Sequence, residues 1–371
     1  MPEYYIGLMS GTSLDAIDAV LVAFEENTSE NCHQIQALSH PLPHDLREQL
    51  LALTLPGPDE IERMAIAEPA FARESAHAVQ LLLEKAGFSA TQITATGSHG
   101  QTIRHRPEKG FTLQIGDPSL IAELTGIQVV ADFRRRDVAA GGQGAPLVPA
   151  FHQAVFSDST HDRVILNIGG MSNISLLHAD PQKPVTGFDT GPGNVLMDYW
   201  CQQHLDQPFD ECGQWAASGK VDDQLLNAML KDSYFSEAPP KSTGRERFNP
   251  GWLESHLKDF SGLPAENVAA TLALLTAKTI ALDICQYAPA FKEVLVCGGG
   301  ASNKHLMKLI ENELNPIAVL TTASLGIEPD WVEAVAFAWL AKQTLEGNPG
   351  NLPAVTGASG KRILGAIYLA G

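Results

Sequence analysis

Three glycine-rich stretches have the residue types that gather an anion: Ser10-Gly11-Thr12-Ser13, Gly169-Gly170-Met171-Ser172-Asn173 and Gly298-Gly299-Gly300-Ala301-Ser302-Asn303. Each follows a hydrophobic run that reads as a strand. Glycine lets backbone N–H groups converge on a phosphate with no Cβ in the way, and Ser or Thr hydroxyls add donors. One such stretch is most often only a turn. Two of them facing each other would clamp the phosphates of a nucleotide.

Carboxylates stand beside these turns. Asp189 follows the strand-like run 185–188 and precedes Thr190-Gly191-Pro192-Gly193-Asn194. A carboxylate at the carboxyl end of a strand sits where α/β folds bind ligands, and there it could act as a general base. Capping the next turn is the commoner role for an Asp. Asp15 and Asp18 flank the first turn and could reach Mg²⁺, directly or through water, or could equally be caps. Glu333 interrupts an otherwise apolar helical run, so it is either exposed or functional, because a buried carboxylate is costly without a partner. His99 and Gln101, in Gly97-Ser98-His99-Gly100-Gln101-Thr102, end a strand, where a structural hydrogen bond explains them as well as a ligand does.

Other nucleotide and catalytic motifs are missing. Gly357-Ala358-Ser359-Gly360-Lys361-Arg362 has the wrong spacing for a P-loop and precedes a strand. No G-x-G-x-x-G opens a helix after the first strand, and neither protein-kinase motifs nor G-x-S-x-G is present.

The elements that must hold these residues are α/β in character. Residues 4–9 and 17–24 predict a strand–turn–strand hairpin. Residues 45–86 read as helix, broken at Pro56-Gly57-Pro58 with Asp59 as the cap of the second part. Runs 93–102, 111–115, 127–133, 163–168, 185–188, 292–297 and 362–369 read as strands, while 265–287 and 331–345 read as helices. The loop Gly141-Gly142-Gln143-Gly144 sits where a first domain of about 130 residues would end. A further hint of duplication is local. Residues 6–14 (IGLMSGTSL) and 168–176 (IGGMSNISL) agree at six of nine positions. A chain of this length offers many chance matches, but the two copies fall near the start of each expected domain.

Composition narrows the class. With 371 residues, 44% hydrophobic and 18% charged, the chain is globular and long enough for two or three domains. Its net charge of -18 argues against non-specific nucleic-acid binding, and the one basic run, Arg134-Arg135-Arg136, is too short for a phosphate-backbone stripe. Five scattered cysteines, at 32, 201, 212, 285 and 297, support neither a disulfide framework nor a zinc site. No signal peptide or uncharged membrane-length run is evident, so a cytoplasmic protein without membrane partners is expected.

Taken together, the stretches Gly11-Thr12-Ser13-Leu14-Asp15, Ser98-His99-Gly100-Gln101-Thr102, Gln114-Ile115-Gly116-Asp117, Ala131-Asp132-Phe133-Arg134, Gly141-Gly142-Gln143-Gly144-Ala145-Pro146-Leu147, Asn167-Ile168-Gly169-Gly170 and Phe188-Asp189-Thr190-Gly191-Pro192-Gly193-Asn194 resemble the anhydro-N-acetylmuramic acid kinases. That family belongs with the sugar kinases, actin and the Hsp70 chaperones. The resemblance implies two duplicated α/β domains of ribonuclease H-like, actin-like fold with a central nucleotide cleft, here 1–134 and 135–371, the terminal segment packing back on the first. It also implies ATP and Mg²⁺, a homodimer, and an anhydro-amino-sugar substrate.

In that family water is added across a 1,6-anhydro bridge and O6 is phosphorylated. By resemblance Asp189 would activate the water. Gly11, Thr12, Ser13, Leu14, Asp15, Ala16, Ile17, Asp18, Gly169, Gly170, Ser172, Asn173, Gly298, Gly299, Gly300 and Asn303 would contact the nucleotide, with Asp15 and Asp18 near the metal. His99, Gln101, Arg134 and Glu333 would contact the sugar, Arg134 near its lactyl carboxylate. One position departs from the family: Ala16 stands where glycine is usual, a strained choice if φ there is positive, at a cost of about 1 kcal/mol. Two rivals remain open, a kinase of another anhydrosugar such as levoglucosan and a non-catalytic ATP switch.

Overall fold

The computed structural model describes residues 2–11, 14–25 and 32–371, so Thr12 and Ser13 of the expected phosphate turn lie outside the described residues. The chain forms two compact units. The first comprises Met1–Val155, Leu325–Ile327 and Trp331–Gly371; the second comprises Phe156–Ser324 and Glu328–Asp330. The units therefore divide at Val155, whereas the sequence reading places the division at 134/135.

The glycine loop that suggested that division is stitched into the first unit. Buried Asp137 accepts the Gly144 N–H (2.8 Å) through Oδ2, and through Oδ1 it accepts from Asn351 Nδ2 (2.7 Å) and Thr356 Oγ1 (2.8 Å).

The first unit starts with a three-stranded antiparallel meander, β1 (Glu3–Met9), β2 (Ala16–Phe24) and β3 (Cys32–Pro41), followed by α1 (His44–Leu53) and α2 (Glu60–Ala86). Next come β4 (Ile93–Ser98), the β5 (Gln101–Arg106) and β6 (Phe111–Ile115) hairpin, α3 (Pro118–Thr125), β7 (Val129–Ala131), α4 (Arg135–Ala139) and α5 (Val148–Phe156). The sheet order is β13-β7-β4-β1-β2-β3, where β13 (Ala366–Tyr368) comes from the terminal segment.

One face of that sheet packs on α1 and α2: Ile6, Leu8, Ile17, Ala19 and Leu21 join Leu46, Leu50, Phe71, Val79 and Leu82 in one apolar core. Alternation along the strands turns Gly7 and Asp18 to the other face. That face carries α12 (Val332–Leu345). The helix fits only because Gly7 and Gly97 lack side chains, since a Cβ there would lie 1.8 Å from Ala334 O and 2.0 Å from Phe337 O.

The second unit repeats the pattern. An antiparallel meander, β8 (Arg163–Ile168), β9 (Met171–Leu177) and β10 (Thr186–Pro192), is followed by four helices, α6 (Val195–Leu205), α7 (Gln214–Ser218), α8 (Asp223–Met229) and α9 (Pro250–Leu257). Then come α10 (Ala265–Tyr287), β11 (Glu293–Cys297), α11 (Lys304–Leu314) and β12 (Ala318–Thr321). The sheet order is β10-β9-β8-β11-β12, with β11 parallel to both β8 and β12. α10 has the length and apolarity of a membrane span, but it lies mostly buried in this unit, as a core helix does.

The duplication is real at the level of topology. β7-β4-β1-β2-β3 and β12-β11-β8-β9-β10 have the same order and the same directions: two parallel strands added to the first strand of an antiparallel meander. The nine-residue similarity is not its trace. Ile6 lies in the middle of β1, whereas Ile168 is the last residue of β8, so the two copies are several residues out of structural register.

Other local expectations shift too. Asp59 occupies the N-cap position of α2 at φ 51°, but its side chain makes no capping bond. The run 93–102 splits into two strands at Gly100 (φ 71°), and 362–369 contributes only three strand residues.

Candidate functional site

In the first unit the close seating of α12 sets Glu333 at the start of that helix, the single exposed residue in a run that is otherwise buried from Val332 to Ala341. Its carboxylate is open to water yet crowded by protein. That desolvation raises its pKa, Arg134 opposes the rise, and Asp18 adds to it.

Arg134, just before α4, donates from Nε (3.1 Å) and Nη2 (2.9 Å) to His99 Nε2 and from Nη1 to Gly144 O (2.9 Å). Two donors on one ring nitrogen make it an acceptor, so His99 is neutral with its proton on Nδ1. Burial first, and Arg134 second, hold its pKa well below the usual histidine value. Desolvation lowers Arg134 itself to about 10, which leaves it cationic at neutral pH.

Asp18, His99, Arg134 and Glu333 thus form one interacting group. Gln101 Nε2 donates to Thr102 O (3.3 Å) and, at 3.5 Å, to Gly11 O, while its buried Oε1 has no partner among the described residues. Gln114 Oε1 is likewise buried and unpartnered. Gln114 lines a polar cavity of ≈ 220 Å³ with Glu68, His99, Asp132 and Arg135.

The first turn differs from expectation in two respects. The left-handed residue is buried Leu14 (φ 58°), not Ala16, which opens β2 in an extended conformation where alanine is unstrained. Ser10 Oγ donates to Ala16 O (3.2 Å), closing the turn. Asp15 is exposed and pairs with Arg47 (3.2 Å), apart from the Asp18–Glu333 group, while Ile17 faces the core.

In the second unit two of the three glycine turns converge, because β8 and β11 are parallel neighbours and end together, Asn167 beside Cys297. A side chain at Gly298 (φ 80°) would strike Asn167 Oδ1 (2.4 Å), and one at Gly300 would strike Ile168 Cγ2 (2.3 Å). Gly170 and Gly299, by contrast, have nothing among the described residues within 4 Å of where a Cβ would stand. The Gly169 and Gly170 carbonyls accept N–H groups of residues 193–195 at 2.8–3.1 Å, which fixes the turn against the start of α6.

Asp189 is not at the end of its strand. β10 runs on to Pro192, with a register shift between Asp189 and Gly191. Cross-strand pairing sets Asp189 opposite Asn173, and Asn173 opposite Asn167. Opposed residues share a face of the sheet, so these three polar side chains form a row across β8, β9 and β10.

The loop 241–247 lies against Asp189. The Thr243 N–H donates to Asp189 Oδ2 (2.9 Å), the Asp189 N–H donates to Lys241 O (3.2 Å), and Tyr234 donates its hydroxyl to Asp189 O (2.7 Å). Burial raises the Asp189 pKa above the usual carboxylate range, although the Thr243 and Ser242 hydrogen bonds pull the other way. The loop is anchored by a buried ion pair, Lys241 Nζ to both oxygens of Asp283 (3.0 and 2.9 Å), with Lys241 over the Tyr234 ring.

Two expected nucleotide contacts have internal partners. Ser172 is fully buried with its Oγ 2.6 Å from Thr190 Oγ1, and Asn303 Oδ1 caps α11 by accepting the Leu306 N–H (2.9 Å). The sequence assigns no site role to Thr243 or the Lys241–Asp283 pair, and names Asn167 only within the stretch Asn167-Ile168-Gly169-Gly170. Asn167 carried a usable signal, a polar residue inside V-I-L-N-I; Lys241 and Asp283 are 42 residues apart and carried none as a pair.

The geometry suits a phosphorylated ligand at the open Gly170 and Gly299 backbone, and a hydroxyl-rich one near the unpartnered acceptors Gln101 Oε1 and Gln114 Oε1. The family model for anhydro-N-acetylmuramic acid kinase matches residues 3–370. Curated relatives of that name share 54% identity with the chain. One from Pseudomonas fluorescens (strain Pf0-1) aligns over 364 residues, 98% of this chain and 99% of its own. Another from Cupriavidus pinatubonensis (strain JMP 134 / LMG 1197) aligns over 372 residues, 99% and 98%. A solved activator of 2-hydroxyisocaproyl-CoA dehydratase from Clostridium difficile, with bound ADPNP, covers 93% of this chain and 97% of its own. At 12% identity and a TM-score of 0.48 it is too distant to bear on function.

Proposed function

The chain belongs to the anhydro-N-acetylmuramic acid kinase family, and we propose that it opens the 1,6-anhydro ring of 1,6-anhydro-N-acetylmuramic acid with water and transfers the γ-phosphoryl group of ATP to O6, giving N-acetylmuramic acid 6-phosphate and ADP. Such a reaction returns cell-wall sugar to amino-sugar metabolism.

The observation that carries the mechanism is the setting of Asp189, half-buried, polarised by one backbone N–H, and beside a polar row that can hold a water. Its oxygen takes the proton of the water that attacks C1. An inverting glycosidase also needs an acid to protonate the leaving oxygen. Here the γ-phosphoryl group captures O6, so no second carboxyl group is needed for that step. Arg134 supplies a cation for the lactyl carboxylate, because its two hydrogen-bond partners, His99 and Gly144 O, are neutral. Glu333 orients a sugar hydroxyl, and Gln101 accepts another.

Mg²⁺ would neutralise charge on the transferring phosphates. Asp18 suits it, since a cation relieves the repulsion between Asp18 and Glu333. Asp15, committed to Arg47, suits it less well. A cytoplasmic homodimer acting without nucleic-acid or membrane partners completes the reading, and sedimentation checks the dimer.

The test is coupled ADP release with and without 1,6-anhydro-N-acetylmuramic acid. Sugar-dependent ADP release that disappears in Asp189→Asn is expected. Equal release without sugar would instead mark an ATP switch, and a preference for levoglucosan would mark a kinase of another anhydrosugar.

A further inference from the structure

On the opposite face of the first sheet from Asp18 and Glu333, a second constellation stands on its own. His40 is the penultimate residue of β3, the edge strand, and pairs across from Ile17. Two residues earlier Leu38 packs into the core beneath α2, and alternation brings His40 to the same side. On α2, Glu74 and His77 are three residues apart and share a helix face. His40 Nε2 donates to Glu74 Oε2 at 2.7 Å, and the His40 and His77 rings meet edge-on with centroids 5.0 Å apart. One ligand atom from each of His40, Glu74 and His77 lies within 4.8 Å of the other two. His40 and Glu74 are only 14% and 27% exposed, and His77 is open to water.

We propose that His40, Glu74 and His77 form a binding site for a zinc-class divalent transition metal, which ties the edge strand β3 to α2. Two imidazoles and one carboxylate are three of the four ligands of a tetrahedral zinc ion, and the exposed side at His77 leaves the fourth position to water. Closing the set takes little movement. Lys85 Nζ, further along α2, donates to Ala37 O of β3 (3.3 Å), so helix and strand are already held together. The ligand set is wrong for Mg²⁺, which prefers oxygen ligands and keeps its waters, so the site does not compete for the metal of the kinase reaction.

The test is binding, independent of turnover. Titration of the full chain with Zn²⁺ in a calorimeter, and with Co²⁺ followed by its visible absorption, is expected to show one saturable equivalent per chain. Excess Mg²⁺ is not expected to displace it. His77→Ala alters an exposed side chain and leaves the core intact. It and His40→Ala are each expected to weaken binding roughly tenfold or more, and Glu74→Gln to weaken it less. Zn²⁺ is expected to raise the unfolding temperature of the unaltered chain and not that of His77→Ala. Every variant keeps all five cysteines, so zinc held by thiols would bind the variants unchanged. That result, or no saturable equivalent in the unaltered chain, would overturn the proposal.

Discussion

At the scale of single residues, Asp189 is tuned by opposing forces, and the balance makes a two-sided prediction. Burial raises its pKa, so the carboxylate is protonated at a higher pH than an ordinary aspartate. Because the proposed base must be ionised to act, kcat/KM is expected to fall as pH drops through that raised value. Asp189→Asn is expected to lower turnover by about 10²–10⁴-fold. A raised native pKa stabilises the fold below the unfolded-state value and loses that contribution as pH rises through the native one. Asp189→Asn is therefore expected to equal the parent in stability at low pH and to exceed it at neutral pH. Urea unfolding at several pH values checks this; a parent that gains on the variant as pH rises would contradict the desolvation reading. Asp189 was legible in the sequence because glycines and a preceding apolar run frame it. Asp283 was not, although it breaks an apolar helix much as Glu333 does, because its partner Lys241 sits in a polar loop with no periodicity.

At the scale of elements, what holds Asp189 is the loop 241–247 and what holds Glu333 is α12. Lys241→Met leaves Asp283 buried without its cation and is expected to cost about 3–5 kcal/mol of stability. Replacing both partners with apolar residues is expected to recover much of that loss. If the single substitution is neutral, the pair does not anchor the loop. For α12, Gly97→Ala places a Cβ 2.0 Å from Phe337 O, so the helix must retreat. A loss of about 1–3 kcal/mol is expected, together with a fall in activity because Glu333 moves with the helix. Measuring both in one variant separates packing from chemistry. The helix itself was readable from its apolar run. Its partner face was not, because glycines in a strand pattern suggest a bulge or a close approach without saying of what.

At the scale of the whole chain, α/β character and duplication were legible, but for different reasons. Apolar periodicity located most strands and both long helices. The duplication followed from the family resemblance and is visible in strand order, while the nine-residue match that suggested it joins non-equivalent positions. The shared order leaves the first strand of each meander with its carboxyl end at a glycine turn. A nucleotide that binds only the folded chain is expected to stabilise it by about 2.7 kcal/mol at a hundred times its dissociation constant. Thermal unfolding with ADP measures this. Asp189→Asn is expected to keep the shift, since the proposed base would act on water and not on phosphate, and its loss would move Asp189 into the nucleotide site.

The first unit is also discontinuous, and this matters while the chain is being made. Five of its six strands are encoded first, but the helix that covers Gly7 and Gly97, and the edge strand β13, are encoded after the whole of the second unit. At about 5–20 residues per second, a detour of ~180 residues lasts roughly 10–35 s. By the end of that interval the five strands of the second unit are all available to pair, while the earlier strands wait with one face uncovered. The unit encoded second is thus the one able to finish first, and the nascent first unit is where a chaperone would find its substrate.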